Sequence, residues 1–340
     1  MTIEDDFAQR QRTERLSAFL RLGLQDELFR LHYQDIHSLV QGRTAAREAL
    51  LRWGGCDQAI PCDVQTLFEV AEATGRIVEL GRKIIDWACR DAVGWPDHCP
   101  VSVNLSPHQL LAGDFAAQTF DTLARTGLPA ERLQFEIIET ATLIPTREVV
   151  EQLRLLRNAG IQLSLDDFGT GYSSLKNLQR FPVDEIKLDR CFAAHAPYDH
   201  KSREIMAATA ALAESLGIAI VVEGAEMREQ LDLARAAGCT HVQGFLFSRP
   251  RGQDGVLDDI AHEQARKEAI RSAEIVDPDA LRQNWRISAE AKVVVGGFRR
   301  DAPPRAPAAN DRPHRSGAKK RGGGRRPPPP DGSAPSPPAG

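Results

Sequence analysis

The sequence predicts an α/β fold in which parallel strands alternate with helices and close into a barrel. Three observations carry that prediction. Short apolar runs recur at residues 101–106, 133–140, 161–168, 184–190, 218–226 and 240–247. Helical patterns lie between most of them, and several end in glycine, as "REVVEQLRLLRNAG" does, the expected passage from helix to strand. The polar groups of each run gather at its C-terminal end, and six or more such units favour a closed barrel over an open sheet.

Taken in order, residues 1–12 form a charged extension, and a charged helix is expected from Thr13 to Gly23 or beyond. "ELFRLHYQDIHSL" and "REALLRW" then read as strands before the regular rhythm begins. In the helical segment at 147–160, Val149, Val150, Leu153 and Leu156 share one face. "REIMAATAALAESLG" and "REQLDLARAAG" follow the same pattern, and the rhythm stops near Pro250. These boundaries give a barrel over 13–255, a helix or linker region over 256–298 (with "KVVVGGF" as an odd strand or sticky peptide), and a tail over 299–340. The tail has no aliphatic or aromatic side chain beyond alanine and proline with which to build a core, so it is expected to be disordered.

At 340 residues the chain has room for one large barrel with extensions. Its 42% apolar and 26% charged content is that of a soluble globular protein. The tail holds 10 Lys/Arg against 3 Asp/Glu, and the remaining residues carry a net charge of -11. The basic run "AKKRGGGRR" is read either as contact with an anionic partner, nucleic acid or lipid, or as an inert solubilising extension. No apolar run approaches the roughly 18–20 residues that span a bilayer, and "MTIEDDFAQRQR" lacks the core of a signal peptide, so a cytoplasmic chain is expected. The six cysteines form no C-x-x-C pair and read as small buried side chains.

The strand ends carry the chemistry. Glu48 and Arg52 lie in "REALLRW", Asn104 closes "VSVN", and Glu136 and Glu139 lie in "FEIIE". Asp166 and Asp167 close "QLSLDD", Lys187 and Asp189 lie in "EIKLD", Glu223 closes "AIVVE" and Gln243 closes "THVQ". In α/β barrels this rim carries the active site. Carboxylates gathered there repel one another, and a divalent cation removes the conflict. Oxygen-only donors point to Mg²⁺ or Mn²⁺, and adjacent aspartates at a turn could bridge two ions, the arrangement that suits in-line phosphoryl displacement. Lys187 could then orient the attacking water. Each residue taken alone has a plainer role: Asp at a strand end is usually a turn former or N-cap, and a lone Lys or Glu is usually a solvated charge. Spacing also leaves the reaction open, because an enolase-type site uses barrel carboxylates, Mg²⁺ and a lysine.

The motifs "HYQDI", "EALLRW", "AEATGRIVELG", "VNLSP", "FEIIET", "DDFGTGYSSL", "IKLDR", "VVEGAE" and "VQGFLFSRP" occur over residues 13–252. In type, order and spacing this set resembles the EAL family of cyclic di-GMP phosphodiesterases. The resemblance implies a modified TIM (β/α)₈ barrel with one antiparallel strand. It also implies hydrolysis of cyclic di-GMP to linear pGpG with two Mg²⁺ or Mn²⁺ ions, and a homodimer. By motif position Glu48, Asn104, Glu136, Asp166 and Glu223 match metal ligands, and Asp167 matches the residue that holds the second metal. Lys187 matches the lysine that positions water, Arg52 a phosphate contact, Gln243 a residue near the water and metal, and Gln34 a glutamine near the substrate. Glu139 matches a glutamate that anchors the loop after the paired aspartates.

Three departures stand out: Asp35 where the family usually has proline, Ile138 where it has a small hydroxyl residue, and a shortened "GGCDQAIPCDV" after "RW". None removes a ligand. The competing expectation is a cyclic di-GMP receptor or interaction module without turnover.

Overall fold

The computed structural model describes residues 3–25, 28–53, 63–138, 145–169 and 174–274. Its strands are β1 (Phe29–Ser38), β2 (Arg43–Trp53), β3 (Val101–Leu105), β4 (Leu133–Ile138), β5 (Gln162–Phe168), β6 (Glu185–Leu188), β7 (Ala219–Val222), β8 (His241–Gln243) and β9 (Arg251–Gly252). Strands β2 to β8 are parallel neighbours in chain order. Strand β1 closes the ring by pairing antiparallel with β2 and β8, and β9 pairs with β1 at His32 and Tyr33. This is the closed eight-strand barrel with one antiparallel strand that the motifs implied.

The helices are α1 (Ile3–Gln25), α2 (Val64–Ala73), α3 (Ile77–Val93), α4 (Pro107–Leu111), α5 (Phe115–Thr126), α6 (Arg147–Asn158), α7 (Ser174–Arg180), α8 (Arg190–His195), α9 (His200–Leu216), α10 (Arg228–Ala236) and α11 (Gln253–Glu274). Local chemistry sets their ends. Thr146 caps α6 by accepting from Val149 N, and of the four residues expected on one face Val149, Leu153 and Leu156 are buried while Val150 is only partly buried against the same core. Gly217 ends α9 in the left-handed region, φ 69°, and donates to Ala213 O, which a residue with a Cβ would resist. Helix α1 starts well before Thr13. It buries Leu16, Leu20 and Leu24, one turn apart, and stacks Phe19 on Trp53 with ring centroids 4.2 Å apart. The run at 240–247 yields only the short β8, because Gly244 O accepts from both Phe247 N and Ser248 N and turns the chain away.

The barrel wall separates two environments. Outward residues such as Val101, Val103, Phe135, Leu163, Leu165 and Ile186 join the helices in one continuous core. Inside the barrel the apolar contribution is a small plug of Ile36, Ala46 and Val221. Burying the outer core drives closure of the barrel, and closure leaves a polar interior whose groups must pair with one another. Four of the six cysteines are described, all free; Cys89, Cys99 and Cys239 are buried with thiols pushed up to about 12, which makes them inert packing groups. No described helix is long and apolar enough to cross a membrane.

Candidate active site

The inward positions of the strands converge on Lys187. Its Nζ lies 2.7 Å from Glu136, 2.5 Å from Glu223, 3.6 Å from Asp166 and 3.7 Å from Glu48. Lys187 is 1% exposed and Glu136 0%, so these two sit below the rim, not on it. Glu48 is held by two amides: Asn104 Nδ2 donates to Oε1 at 2.7 Å, and Gln243 Nε2 donates to Oε2 at 2.6 Å. Gln34, buried beside Gln243, donates to Ser248 O at 3.1 Å.

The paired aspartates reach the same place through a local backbone device. Strand alternation would send Asp167 to the outer face. Asp167 instead has φ 54°, a left-handed conformation that Asp tolerates better than most residues. The β5–β6 register shifts between Leu165 and Phe168, and Asp166 Oδ1 accepts from Asp167 N at 2.9 Å. One carboxylate oxygen each from Asp166, Asp167 and Glu223 consequently lies within 4.8 Å of the others.

These groups cannot all be ionised with one lysine among them. Burial pushes Glu136 and Asp166 up, with Glu48 adding repulsion. Burial raises Glu223 to about 8 and Asp167 to about 6, the latter aided by the Asp166 charge. Burial would raise Glu48 too, but Lys187 and the two amides outweigh it and hold that carboxyl low. Lys187 resists its own burial because Asp166, Glu136, Glu223 and Glu48 surround it, and it stays charged. Glu136 Oε1 is buried without a hydrogen-bond partner. An unpartnered carboxyl oxygen in an oxygen-rich cluster with more carboxyl groups than cations is what a hard divalent cation fits.

Above the cluster opens a cavity of about 690 Å³. Its floor is Glu48, Asn104, Asp166, Asp167, Glu223 and Gln243, with Gln34 and Arg52 on the wall. Burial lowers the Arg52 guanidinium, with Glu48 opposing that, and its Nη1 donates to Leu51 O. Ile138, Phe68, Leu50 and Phe245 supply apolar wall. Every described candidate except Asp189 therefore joins the cluster or the cavity. Asp189 takes the plainer role: it caps α8 by accepting from Cys191 N at 2.9 Å. Glu139 and the loop residues 170–173 lie outside the described residues, as does the tail. The sequence reading passes over Arg190, which lines the cavity; its place next to Asp189 in "KLDR" was the available signal. It also passes over Glu185 and Gln134, hydrogen-bonded at 2.7 Å inside the barrel, although period-two counting back from Lys187 and Glu136 reaches both.

The family model of the EAL domain matches residues 17–250. An uncharacterized protein of Sinorhizobium fredii, y4lL, is 41% identical over 239 residues, which is 70% of this chain and 28% of that protein. The cyclic di-GMP phosphodiesterase NbdA of Pseudomonas aeruginosa is 37% identical over 235 residues, 68% of this chain and 30% of that one. The chain thus spans less than a third of the length of these curated relatives. Among solved structures, the PaMucR phosphodiesterase in complex with c-di-GMP superimposes with a TM-score of 0.66 at 33% identity, covering 72% of this chain and 100% of the other. Klebsiella pneumoniae BlrP1, in a manganese and cy-diGMP complex, gives 0.59 at 30% identity, covering 66% and 56%. A match that runs from within α1 through the last barrel loop, with a solved relative covered end to end, leads to one conclusion: this chain belongs to the EAL domain family.

Proposed function

We propose that the cavity hydrolyses one phosphodiester bond of cyclic di-GMP, giving linear pGpG, with two Mg²⁺ or Mn²⁺ ions as cofactor. The observation that carries this reading is the unbalanced cluster: several buried carboxylates share one lysine, and Glu136 Oε1 has no partner. Relatives named as cyclic di-GMP phosphodiesterases, and solved relatives holding that nucleotide, support the choice of substrate. Glu48, Asn104, Glu136, Asp166 and Glu223 would hold one ion, and Asp167 would hold the second. When bound, such ions neutralise phosphate oxygens and acidify water.

The chain's own residues do the rest. Lys187 Nζ, charged and fixed among carboxylates, donates hydrogen bonds that orient the attacking water. Arg52 faces the phosphate from the wall, a planar donor suited to it. Gln243 and Asn104 hold Glu48 in place. Water's oxygen forms the new bond to phosphorus, the bond to the 3′ oxygen breaks, and that oxygen leaves with a proton. The apolar wall around Phe68 and Phe245 covers the flat bases and limits the access of bulk water. On this reading the chain works in the cytoplasm as a homodimer.

The test is release of pGpG with Mg²⁺ or Mn²⁺ by the wild type and by Glu48→Ala. Turnover should fall by about a thousandfold or more in the variant, while circular dichroism is unchanged. Cyclic di-GMP that binds but is never cleaved by the wild type would favour the receptor reading instead.

A further inference from the structure

Directly behind the site, on the outer wall of the barrel, lies a buried charge cluster that the proposed chemistry does not use. Alternation along β1 and β2 turns the register pair Gln34 and Glu48 inward and the next pair, Asp35 and Arg47, outward. Asp35 is 6% exposed and Arg47 3%. Arg47 Nε donates to Asp35 Oδ1 at 3.1 Å, and its two terminal nitrogens fork onto Asp97 at 3.2 and 2.6 Å. The same guanidinium lies over the Trp95 ring, 4.9 Å from its centroid. Arg251 Nη2 donates to Asp35 Oδ2 at 2.9 Å. Asp35 N donates to Ser248 Oγ at 3.1 Å, while Ser248 O accepts from Gln34. Helix α11 braces the cluster from outside: Gln253 accepts from Trp95 Nε1 at 2.8 Å, and Asp259 pairs with Arg251 at 2.6 Å.

A buried ion pair adds little net stability, because desolvation offsets its attraction. It is effective at fixing geometry. The fork on Asp97, the bond to Asp35 and the ring beneath leave Arg47 one arrangement. Asp35 stands where the family resemblance leads one to expect proline, and proline would supply neither the N–H that Ser248 accepts nor the carboxylate that Arg47 and Arg251 share. We infer that Asp35 and Arg47 are positioning residues: they lock the β1–β2 pair so that Glu48 presents its oxygens to Asn104, Gln243 and Lys187 at the distances observed, with α11 as the outer brace.

The activity readout of this inference rests on the proposed phosphodiesterase, whereas its binding readout rests only on the metal site of that reading and not on turnover. The experiment uses the full chain as Arg47→Met, Arg47→Lys and the double variant Asp35→Leu with Arg47→Met. Three quantities are measured: urea unfolding, Mn²⁺ binding by calorimetry without nucleotide, and cyclic di-GMP turnover. Arg47→Met should weaken Mn²⁺ binding about tenfold and lower kcat by roughly tenfold to a hundredfold while KM moves less than about threefold. Arg47→Lys, which keeps the charge and loses the fork, should fall between the two. The double variant removes the buried pair but leaves Asp97 and Arg251 each short of one partner, so its unfolding midpoint should recover only part of what Arg47→Met loses, while Mn²⁺ affinity and kcat stay low. A folded double variant with wild-type Mn²⁺ affinity and kcat overturns the inference, since the pair would then serve packing alone. If the wild type binds Mn²⁺ without turnover, the phosphodiesterase reading fails and the Mn²⁺ comparison still decides this one. A wild type that binds no Mn²⁺ overturns both.

Discussion

Lys187 determines how the site behaves before any ion arrives. A single ammonium among Glu48, Glu136, Asp166 and Glu223 leaves burial to push Glu136, Asp166 and Glu223 upward, and Glu223 is the clearest of them, raised to about 8. Its unfolded value is 4.5, so between those limits the folded state binds more protons than the unfolded state. Stability from such a group is present at low pH and is lost as pH rises. Asp167, raised to about 6, acts in the same direction over a lower range. His37 and His241, lowered by burial, act in the opposite direction below their ordinary value of 6.5. The span from 6.5 to about 8 therefore belongs to Glu223 and its carboxylate neighbours. In chelator, the urea midpoint of the wild type should fall across that span, and Glu223→Gln should flatten the slope. A midpoint that rises with pH there would contradict the assignment. Saturating Mn²⁺ should remove the dependence, because the ion then replaces the protons.

At the scale of elements, what the sequence disclosed depended on whether a signal was local. Strand ends and helix stops were legible because alternation, apolar spacing and terminal glycines act within a few residues, as at Gly160 and Gly217. The convergence of Glu48, Glu136, Asp166 and Lys187 could be anticipated from strand ends alone, since barrel closure brings them together. The Asp35–Arg47 cluster was not legible. It needs the β1–β2 register, and that register shifts between Ile36 and His37, where no local pattern announces it. The role of Asp189 as a cap was legible as the usual one for an aspartate at a strand end, but nothing local told it apart from Asp166, which serves the site. Gly224 in "VVEGAE" is a local signal with a measurable consequence. It has φ 72°, and a Cβ there would lie 2.5 Å from Arg190 Cβ. Gly224→Ala should therefore strain the turn that carries Glu223 and push it off the start of α8. The expected cost is about 1–3 kcal/mol in urea unfolding. An unchanged midpoint would mean that the turn relaxes freely, and that Glu223 is less firmly placed than the cluster requires.

For the molecule as a whole, the region matched by the family stops at residue 250, yet the described fold continues through α11. That helix begins directly after β9 and places Val256 at 0% and Ile260 at 3% exposure against the core shared by the barrel and its helices. Gln253 ties it to Trp95 and to Asp91 O, and Asp259 ties it to Arg251. If α11 were an appendage, a chain ending at residue 252 would match one ending at residue 275 in stability. Burial of two full aliphatic side chains argues otherwise. At roughly 1.5–3 kcal/mol each, their loss should cost about 3–6 kcal/mol. For a unit of this size that lowers Tm by at least about 6 °C. The comparison between those two ends, by thermal unfolding in chelator, isolates α11 from everything beyond it. The shorter chain should also bind Mn²⁺ more weakly, because Arg251 loses Asp259 and Trp95 loses Gln253, and the brace behind Glu48 loosens. Equal Tm values for the two chains would show that the barrel closes without its last helix, and would remove α11 from any account of how the site is held.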